Sequence, residues 1–166
     1  MTSQIESLAQ TGEPALPAPP SGPWRLPPLR LPADLGRLDA VTGYVYAVAR
    51  RAGLGSAARY RLRLAVEELT VNAVLHGYAQ RPGELGLTGG GDGRGGGWIT
   101  VEDAAPAFDP ARRCPDPPAP LPLPERPIGG LGIRLALAAA DEYTYEYTGG
   151  RNRSTVAVRR RPGEEA

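Results

Sequence analysis

The chain has 166 residues, enough for one domain with a substantial core, and its formal net charge of +1 comes from interspersed charges of both signs. This balance excludes a strong positive electrostatic field that would attract nucleic acid or an anionic membrane. The absence of lysine excludes Walker-type phosphate binding, Schiff-base chemistry and lysine general bases. A single cysteine, Cys114, and the lack of any apolar run of ~20 residues predict a reduced, cytoplasmic protein without a signal peptide or transmembrane helix.

The first elements are predicted from proline content and apolar spacing. Residues 1–23 are rich in proline and alanine and lack periodicity, which is typical of a disordered arm. Residues 24–31 alternate apolar and polar side chains, but two consecutive prolines restrict them to an edge strand or an irregular extension. Apolar residues then recur at helical spacing from Leu35 to Ala52, with Asp34 available as an N-cap.

A second helix is predicted after the Gly-Leu-Gly-Ser break, with Ser56 as its cap. It carries Glu68, Asn72 and His76 at i, i+4 and i+8, so each lies about one turn above the last. A carboxylate beside an amide carbonyl, on a face that is otherwise apolar, suggests a place where a metal-bound polyanion and a hydroxyl or water are held. This helix is therefore the predicted wall of an active site.

The second half of the chain is predicted to be mostly strands. Residues 84–88 and 98–102 read as two strands, separated by a glycine-rich segment that is expected to be a flexible hairpin loop without phosphate-binding chemistry. Residues 104–127 are dominated by proline and small residues and predict a long, lid-like loop. A helix then begins directly after a glycine pair, and residues 141–160 predict a closing hairpin. This order predicts an α+β fold, a two-layer α/β sandwich with helices packed on one face of a mostly antiparallel, mixed sheet.

Three segments resemble the motifs of the GHKL (Bergerat-fold) ATPases. The segment EELTVNAVLHGY resembles the N box, WITVEDAAPAFDP the G1 box, and IGGLGIRLALAAADEYTYEYTGGRNRSTVAV the G2 box with the closing strands. The short length, the PAFDP ending and the GGLG helix start are most similar to bacterial RsbW-like anti-sigma-factor serine/threonine kinases. The resemblance covers residues 24–160, which implies one Bergerat-fold domain with an ATP lid at about 106–128 and a disordered tail at 161–166.

The resemblance implies roles for three polar residues. The glutamate matching Glu68 orients or deprotonates the attacking hydroxyl, while Glu67 points about 100° away and can pair with Arg63 instead. The asparagine matching Asn72 supplies an oxygen to Mg²⁺, whose remaining ligands would be phosphates and water. The carboxylate matching Asp103 accepts a hydrogen bond from the adenine amino group.

The resemblance also implies contacts to the rest of ATP. Backbone amides at the start of the third helix suit the phosphates, and the residues concerned are Gly129, Gly130, Leu131 and Gly132. Arg126 in the lid is expected to reach the terminal phosphate or a protein partner. On the closing strand, Ser154 or Thr155 is expected to bond near Asp103, with Thr155 taken as the cofactor-binding residue.

Ala105 lies where the family usually has glycine, close to the base. A methyl group in a glycine-type backbone conformation costs about 1 kcal/mol or more, so reduced nucleotide affinity is expected.

The implied function is an ATP- and Mg²⁺-dependent serine/threonine kinase that phosphorylates a STAS-type anti-sigma-factor antagonist. Sequestration of a sigma factor is a further role that the resemblance leaves open. One alternative, motivated by Ala105 and the proline-rich lid, is a degenerate ATPase-fold module that binds partners and transfers nothing. Another is a histidine-kinase catalytic domain, which the absence of an upstream acceptor-histidine hairpin disfavours. A homodimer is also compatible with the sequence, since Val41 and Val45 suit an interface as well as a core.

Overall fold

A computed structural model describes residues 22–112 and 131–164. All but the last two residues of the predicted N-terminal arm and most of the predicted lid lie outside the described residues, and so do Arg126, Gly129 and Gly130. In chain order the elements are β1 (Leu29–Pro32), α1 (Leu38–Arg51), α2 (Ser56–Asn72), β2 (Glu84–Gly91), β3 (Gly96–Asp103), α3 (Leu131–Ala139), β4 (Glu142–Thr148) and β5 (Arg151–Arg159).

The five described strands form one sheet in the order β1-β2-β3-β5-β4. The predicted α+β class is confirmed, although each of the pairs is antiparallel, so the described strands supply no parallel component of a mixed sheet. The first strand lies at the sheet edge, as expected, but is shorter than residues 24–31. Arg25 makes only an isolated bridge to Gly90, because Pro27 and Pro28 have no N–H with which to extend the ladder.

Helices α1 and α2 cover one face of this sheet, and the core lies between the two layers. Burying one large aliphatic side chain contributes about 1.5–3 kcal/mol, so this layer supplies much of the stability. Val41 and Val45 belong to it and are fully buried, which resolves their role in favour of the core. The other large core residues are Val48, Leu62, Val66, Leu69, Leu85, Leu87, Ile99, Val101, Val156 and Val158.

The predicted hairpin between β2 and β3 is present, but its loop is confined to residues 92–95, and most of the glycines predicted to be loop belong to the two paired strands. The ladder continues through Gly89–Gly91 on β2 and through Gly97 on β3. Glycine is needed here because α1 lies against the sheet: a Cβ at Gly89 would lie 2.9 Å from Val48 Cγ2, and one at Gly97 would lie 3.1 Å from Val48 Cγ1. The glycines therefore serve close packing of a helix rather than chain mobility.

Capping at the two helix starts differs from the prediction. The N-cap of α2 is Gly55, and Ser56 is its first helical residue, with no side-chain cap bond. Asp34 does cap, but it caps a 3₁₀ turn at Leu35–Arg37 that precedes α1.

Within the described residues, no helix has the length and apolar character needed to cross a membrane.

Residues 161–164, which belong to the predicted tail at 161–166, are described, and Glu164 bonds to the domain. The guanidinium of Arg61 on α2 donates to Asp141 Oδ2 at 3.0 Å, to the Arg159 carbonyl at 2.7 Å and to Glu164 Oε2 at 3.2 Å. One largely buried cation thus ties α2 to the residue before β4, to the end of β5 and to the tail.

A π turn, Ala73–Gly77, follows α2 directly after Asn72. Its wider hydrogen-bond ring, from Tyr78 N to Ala73 O at 2.8 Å, changes the rotation of the chain relative to a continuous α-helix. The i+8 spacing predicted that His76 would share a helix face with Glu68 and Asn72. Instead, His76 is exposed and does not continue that face.

The link from the π turn to β2 holds two non-glycine residues with left-handed backbone, Ala79 (φ 50°) and Gln80 (φ 60°). This conformation costs an L-residue about 1–2 kcal/mol that glycine avoids. We expect Ala79→Gly to raise the free energy of unfolding by about 1 kcal/mol in a denaturant titration, because the relief exceeds the entropic cost of glycine. Ala47→Gly, inside α1, is the matched control and should lower it. Destabilisation by both changes would contradict the assigned backbone.

Candidate active site

The C-terminal half of α2 and the end of β3 form the walls of one cavity. Asn72 contributes from the helix and Asp103 from the strand, so two residues predicted from separate motifs lie together. Asn152 and Ser154 add side chains from β5. The remaining lining residues are Leu69, Ala73, Gly77, Val101, Pro106, Phe108 and Pro110.

Asp103 is 8% exposed and has a fixed orientation at the bottom of this cavity. Its Oδ1 accepts hydrogen bonds from Ala105 N at 2.9 Å and from Asn152 Nδ2 at 2.8 Å. Both bonds end on Oδ1, so Oδ2 is available for a further donor. An ionised carboxylate can only accept hydrogen bonds. It therefore binds a base with an exocyclic amino group at this position and repels a base with a carbonyl oxygen there.

Ala105 fits its position without the backbone strain that was predicted. It is not among the described residues with left-handed φ, and its N–H is used by Asp103. Its methyl group has room because residue 77 is glycine: a Cβ there would lie 3.0 Å from Ala105 Cβ. The expected cost of a glycine-type conformation therefore does not arise, since Gly77 accommodates the extra methyl group.

Glu68 faces the start of α3. A methyl group at position 132 would overlap the Glu68 carboxylate, so Gly132 leaves room for that carboxylate in its present position. Within the described residues the Glu68 side chain has no ion pair or hydrogen bond. Its neighbour Glu67 is held by Thr42 Oγ1 at 2.7 Å and by Arg63 at 3.6 Å, and the predicted Arg63 pair is confirmed. Of the two adjacent carboxylates, Glu68 is thus the one available to a ligand.

Asn72 offers a hard oxygen donor to a cation. Its side chain lines the cavity and makes no hydrogen bond to other described residues. The part of the chain that the structure describes holds no group of three or more His, Cys, Asp or Glu side chains placed to bind a metal ion. An amide oxygen is a ligand type that Mg²⁺ accepts, so the Asn72 side chain fits such an ion, whose other ligands would be phosphates and water.

The alternation of β5 separates Ser154 from Thr155. Ser154 pairs with Val101 on the helix-facing side and lines the cavity with Asp103. Thr155 points to the opposite face, where its Oγ1 lies 2.7 Å from Thr100 Oγ1. The structure thus corrects the predicted contact of Thr155 with the nucleotide, because the sheet lies between it and Asp103.

Cavity size does not identify the site. The cavity at Asn72 and Asp103 has a volume of about 20 Å³, which is room for about one water. A larger cavity of about 320 Å³ lies on the outer face of the sheet, beside Thr100 and Thr155, and contains neither Asn72 nor Asp103. A purine would enter only if the loop at 106–110 moved outward, since the other walls belong to α2, the π turn and the sheet.

Asn152 was missed by sequence reasoning and makes the most contacts in the site. Its Nδ2 donates to Asp103 Oδ1 at 2.8 Å, to Ala105 O at 3.0 Å and to Pro106 O at 3.2 Å. Its Oδ1 accepts from Phe108 N at 3.0 Å and from Tyr145 Oη at 2.6 Å. The available signal was its position two residues before Ser154, on the same face of the strand.

Two tyrosines of β4 surround this network and stay protonated. Burial, reinforced by the Asp109 and Asp103 carboxylates, raises the pKa of Tyr145 even though a bond from Phe108 N lowers it. Burial likewise raises the pKa of Tyr143 far above its usual value, against a bond from Ser154. Their hydroxyl groups therefore act as hydrogen-bond donors rather than as bases.

Comparison with known proteins agrees with this geometry. Residues 31–159 match the family described as the histidine kinase-like ATPase domain. The fold is similar to the crystal structure of the RsbU and RsbW domains of Rv1364c from Mycobacterium tuberculosis, with a TM-score of 0.55 at 20% sequence identity. That similarity covers 85% of this chain and 35% of the other, so this chain spans little more than a third of that chain's length. No curated protein matches the sequence. Because the family match extends over most of its length, the chain belongs to the histidine kinase-like, GHKL ATPase family.

Proposed function

We propose that this protein is an ATP-dependent serine/threonine kinase of the anti-sigma-factor type. Its substrate would be a STAS-type anti-sigma-factor antagonist in the cytoplasm, and it would also sequester a sigma factor, alone or as a homodimer. The observation that carries the proposal is the Glu68 carboxylate, which is unpaired within the described residues. It lies one helical turn from Asn72, and Asn72 lines the same cavity as Asp103. The fold shared with a domain named RsbW supports the choice within the family.

In the proposed reaction, each residue of the chain has a separate task. Asp103 Oδ2 accepts a hydrogen bond from the adenine amino group, and Asn72 offers its oxygen to Mg²⁺. When bound, Mg²⁺ neutralises charge on the phosphates. Glu68 orients the substrate hydroxyl and takes its proton as the new O–P bond forms and the bond between the β- and γ-phosphates breaks, with ADP as the leaving group. The contacts of Arg126, Gly129, Gly130, Leu131 and Gly132 with the phosphates are part of the same proposal.

A second candidate is a partner-binding module that transfers nothing. It is favoured by the narrow cavity at Asn72 and Asp103, which a purine enters only after the loop at 106–110 has moved. Ala105 no longer supports it, because that residue fits without strain.

Calorimetric titration with a non-hydrolysable ATP analogue tests the proposal. We expect micromolar binding that requires Mg²⁺, loss of the Mg²⁺ dependence in Asn72→Ala, and its retention in Asn72→Asp, since a carboxylate oxygen is also a hard ligand. Incubation with labelled ATP and STAS-type antagonists should then transfer phosphate to a serine or threonine. Absence of nucleotide binding would refute the kinase proposal and favour the partner-binding module, and binding without transfer would also favour the module.

A further inference from the structure

The loop that follows β3 is tied to β5 through the single side chain of Asn152. In the register of the sheet Asn152 lies directly opposite Asp103, and both are buried, with 4% and 8% of their surface exposed. We propose that Asn152 is a positioning residue that sets the base selectivity of the site, with Tyr145 holding its amide in the required orientation. This inference rests on the proposed function, because it concerns the base of the same nucleotide.

The surroundings of Asn152 allow one orientation of its amide. Tyr145 Oη and Phe108 N both lie near Oδ1 and both donate, at 2.6 and 3.0 Å. On the other side, Asp103 Oδ1 and the Ala105 carbonyl can only accept, so the NH₂ group must face them. A flipped amide would put carbonyl against carboxylate and NH₂ against two donors. The hydrogen-bond partners therefore determine the orientation.

Tyr145 can serve this purpose because it remains a phenol. Its pKa is raised by burial and by the carboxylates of Asp109 and Asp103. The hydroxyl donates to Asn152 Oδ1 and accepts from Phe108 N at 3.1 Å, so each of its hydrogen-bonding functions has a partner.

The orientation of Asn152 determines what Asp103 presents to a base. Two donors fix Oδ1, from Asn152 Nδ2 and Ala105 N, so Oδ2 is presented in one direction. Without Asn152 one donor is lost, and the terminal torsion of an aspartate is broad enough for the carboxylate to rotate. An amino group then loses its fixed acceptor, and a carbonyl is no longer opposed by a fixed negative oxygen. The bond between Asn152 and Asp103 lies at the strand ends, so outward movement of residues 106–110 need not break it.

The first test is the ratio of the dissociation constants for GTP and ATP, measured by equilibrium titration of the full chain. We expect the wild type to prefer ATP, Asn152→Ala to reduce this preference about tenfold, and Tyr145→Phe to reduce it by a smaller factor, about threefold. Tyr147→Phe is the matched control. Tyr147 lies on the same strand and the same face, is 46% exposed, and its hydroxyl has no hydrogen bond to other described residues. Its removal should leave the ratio unchanged.

A second test needs no nucleotide. Hydrogen exchange of the free protein should be faster at the Ala105 and Phe108 amides in Asn152→Ala, because both depend on the network. If Asn152→Ala does not fold, the ratio of the GTP and ATP dissociation constants in Tyr145→Phe tests the inference alone. A wild type that prefers ATP, with the preference unchanged in the folded variants, would overturn this inference and leave the kinase proposal intact. A wild type that binds no nucleotide would overturn both.

Discussion

Glu68→Gln should reduce phosphoryl transfer by about 10²–10⁴-fold while leaving the fold and ATP binding intact. Glutamine has nearly the same shape as glutamate but cannot accept a proton at neutral pH. Since the Glu68 side chain has no ion pair or hydrogen bond within the described residues, its replacement breaks no described interaction and leaves no partner unpaired. A loss of activity would therefore report on chemistry rather than on folding.

The adjacent Glu67→Gln variant is the control for this experiment. It removes the contact with Arg63, a partly buried i,i+4 helical pair worth about 0.3–0.5 kcal/mol, and its amide oxygen can still accept from Thr42. We expect the rate of transfer from labelled ATP to the antagonist to change little. Full activity in Glu68→Gln, or equal losses in the two variants, would contradict the role given to Glu68.

The architecture was predictable because most elements have a periodicity that only one structure satisfies. The apolar spacing of α1 and α2 predicts helices that cover a sheet, and the alternation in β4 and β5 predicts a hairpin. The glycine-rich ends of β2 and β3 were mistaken for a loop because composition alone does not distinguish flexibility from close packing. The contact of Val48 with these glycines is a tertiary effect, and it decides between the two.

The part of the candidate site whose residues lie in one sequence motif was predictable. The contacts between residues on different strands were not, because they depend on the register of strand pairing. Glu68 and Asn72 are one turn apart on a single helix, so their proximity follows from sequence spacing. Ser154 and Thr155 point to opposite faces, and which of them meets Asp103 depends on the pairing of β3 with β5. The same pairing places Asn152 opposite Asp103. The spacing from Ser154 indicated the face on which Asn152 lies, but the contact with Asp103 depends on the strand register.

Gly132→Ala should lower phosphoryl transfer by about 10–100-fold with little loss of stability. The added methyl group would overlap the Glu68 carboxylate, which is the far end of a flexible side chain and can swing away. The helices then keep their packing, but the carboxylate moves by about 1 Å or more from its productive position, and displacements of that size cost about 10²-fold. Alanine retains the backbone N–H, so a phosphate contact from residue 132 would be kept.

Two roles for Gly132 can be distinguished: it either leaves room for the Glu68 carboxylate, called clearance here, or binds phosphate through its backbone. The experiment measures the transfer rate, the ATP affinity and the melting temperature of Gly132→Ala together. Clearance predicts a lower rate with affinity and melting temperature nearly unchanged. The double variant Glu68→Gln/Gly132→Ala should be no slower than Glu68→Gln. Glutamine at position 68 already lacks the proton-accepting carboxylate, so displacing this side chain removes no further activity. Weaker ATP binding at an unchanged rate would show instead that Gly132 acts through its backbone on the phosphates, and additive losses would separate Gly132 from Glu68 altogether.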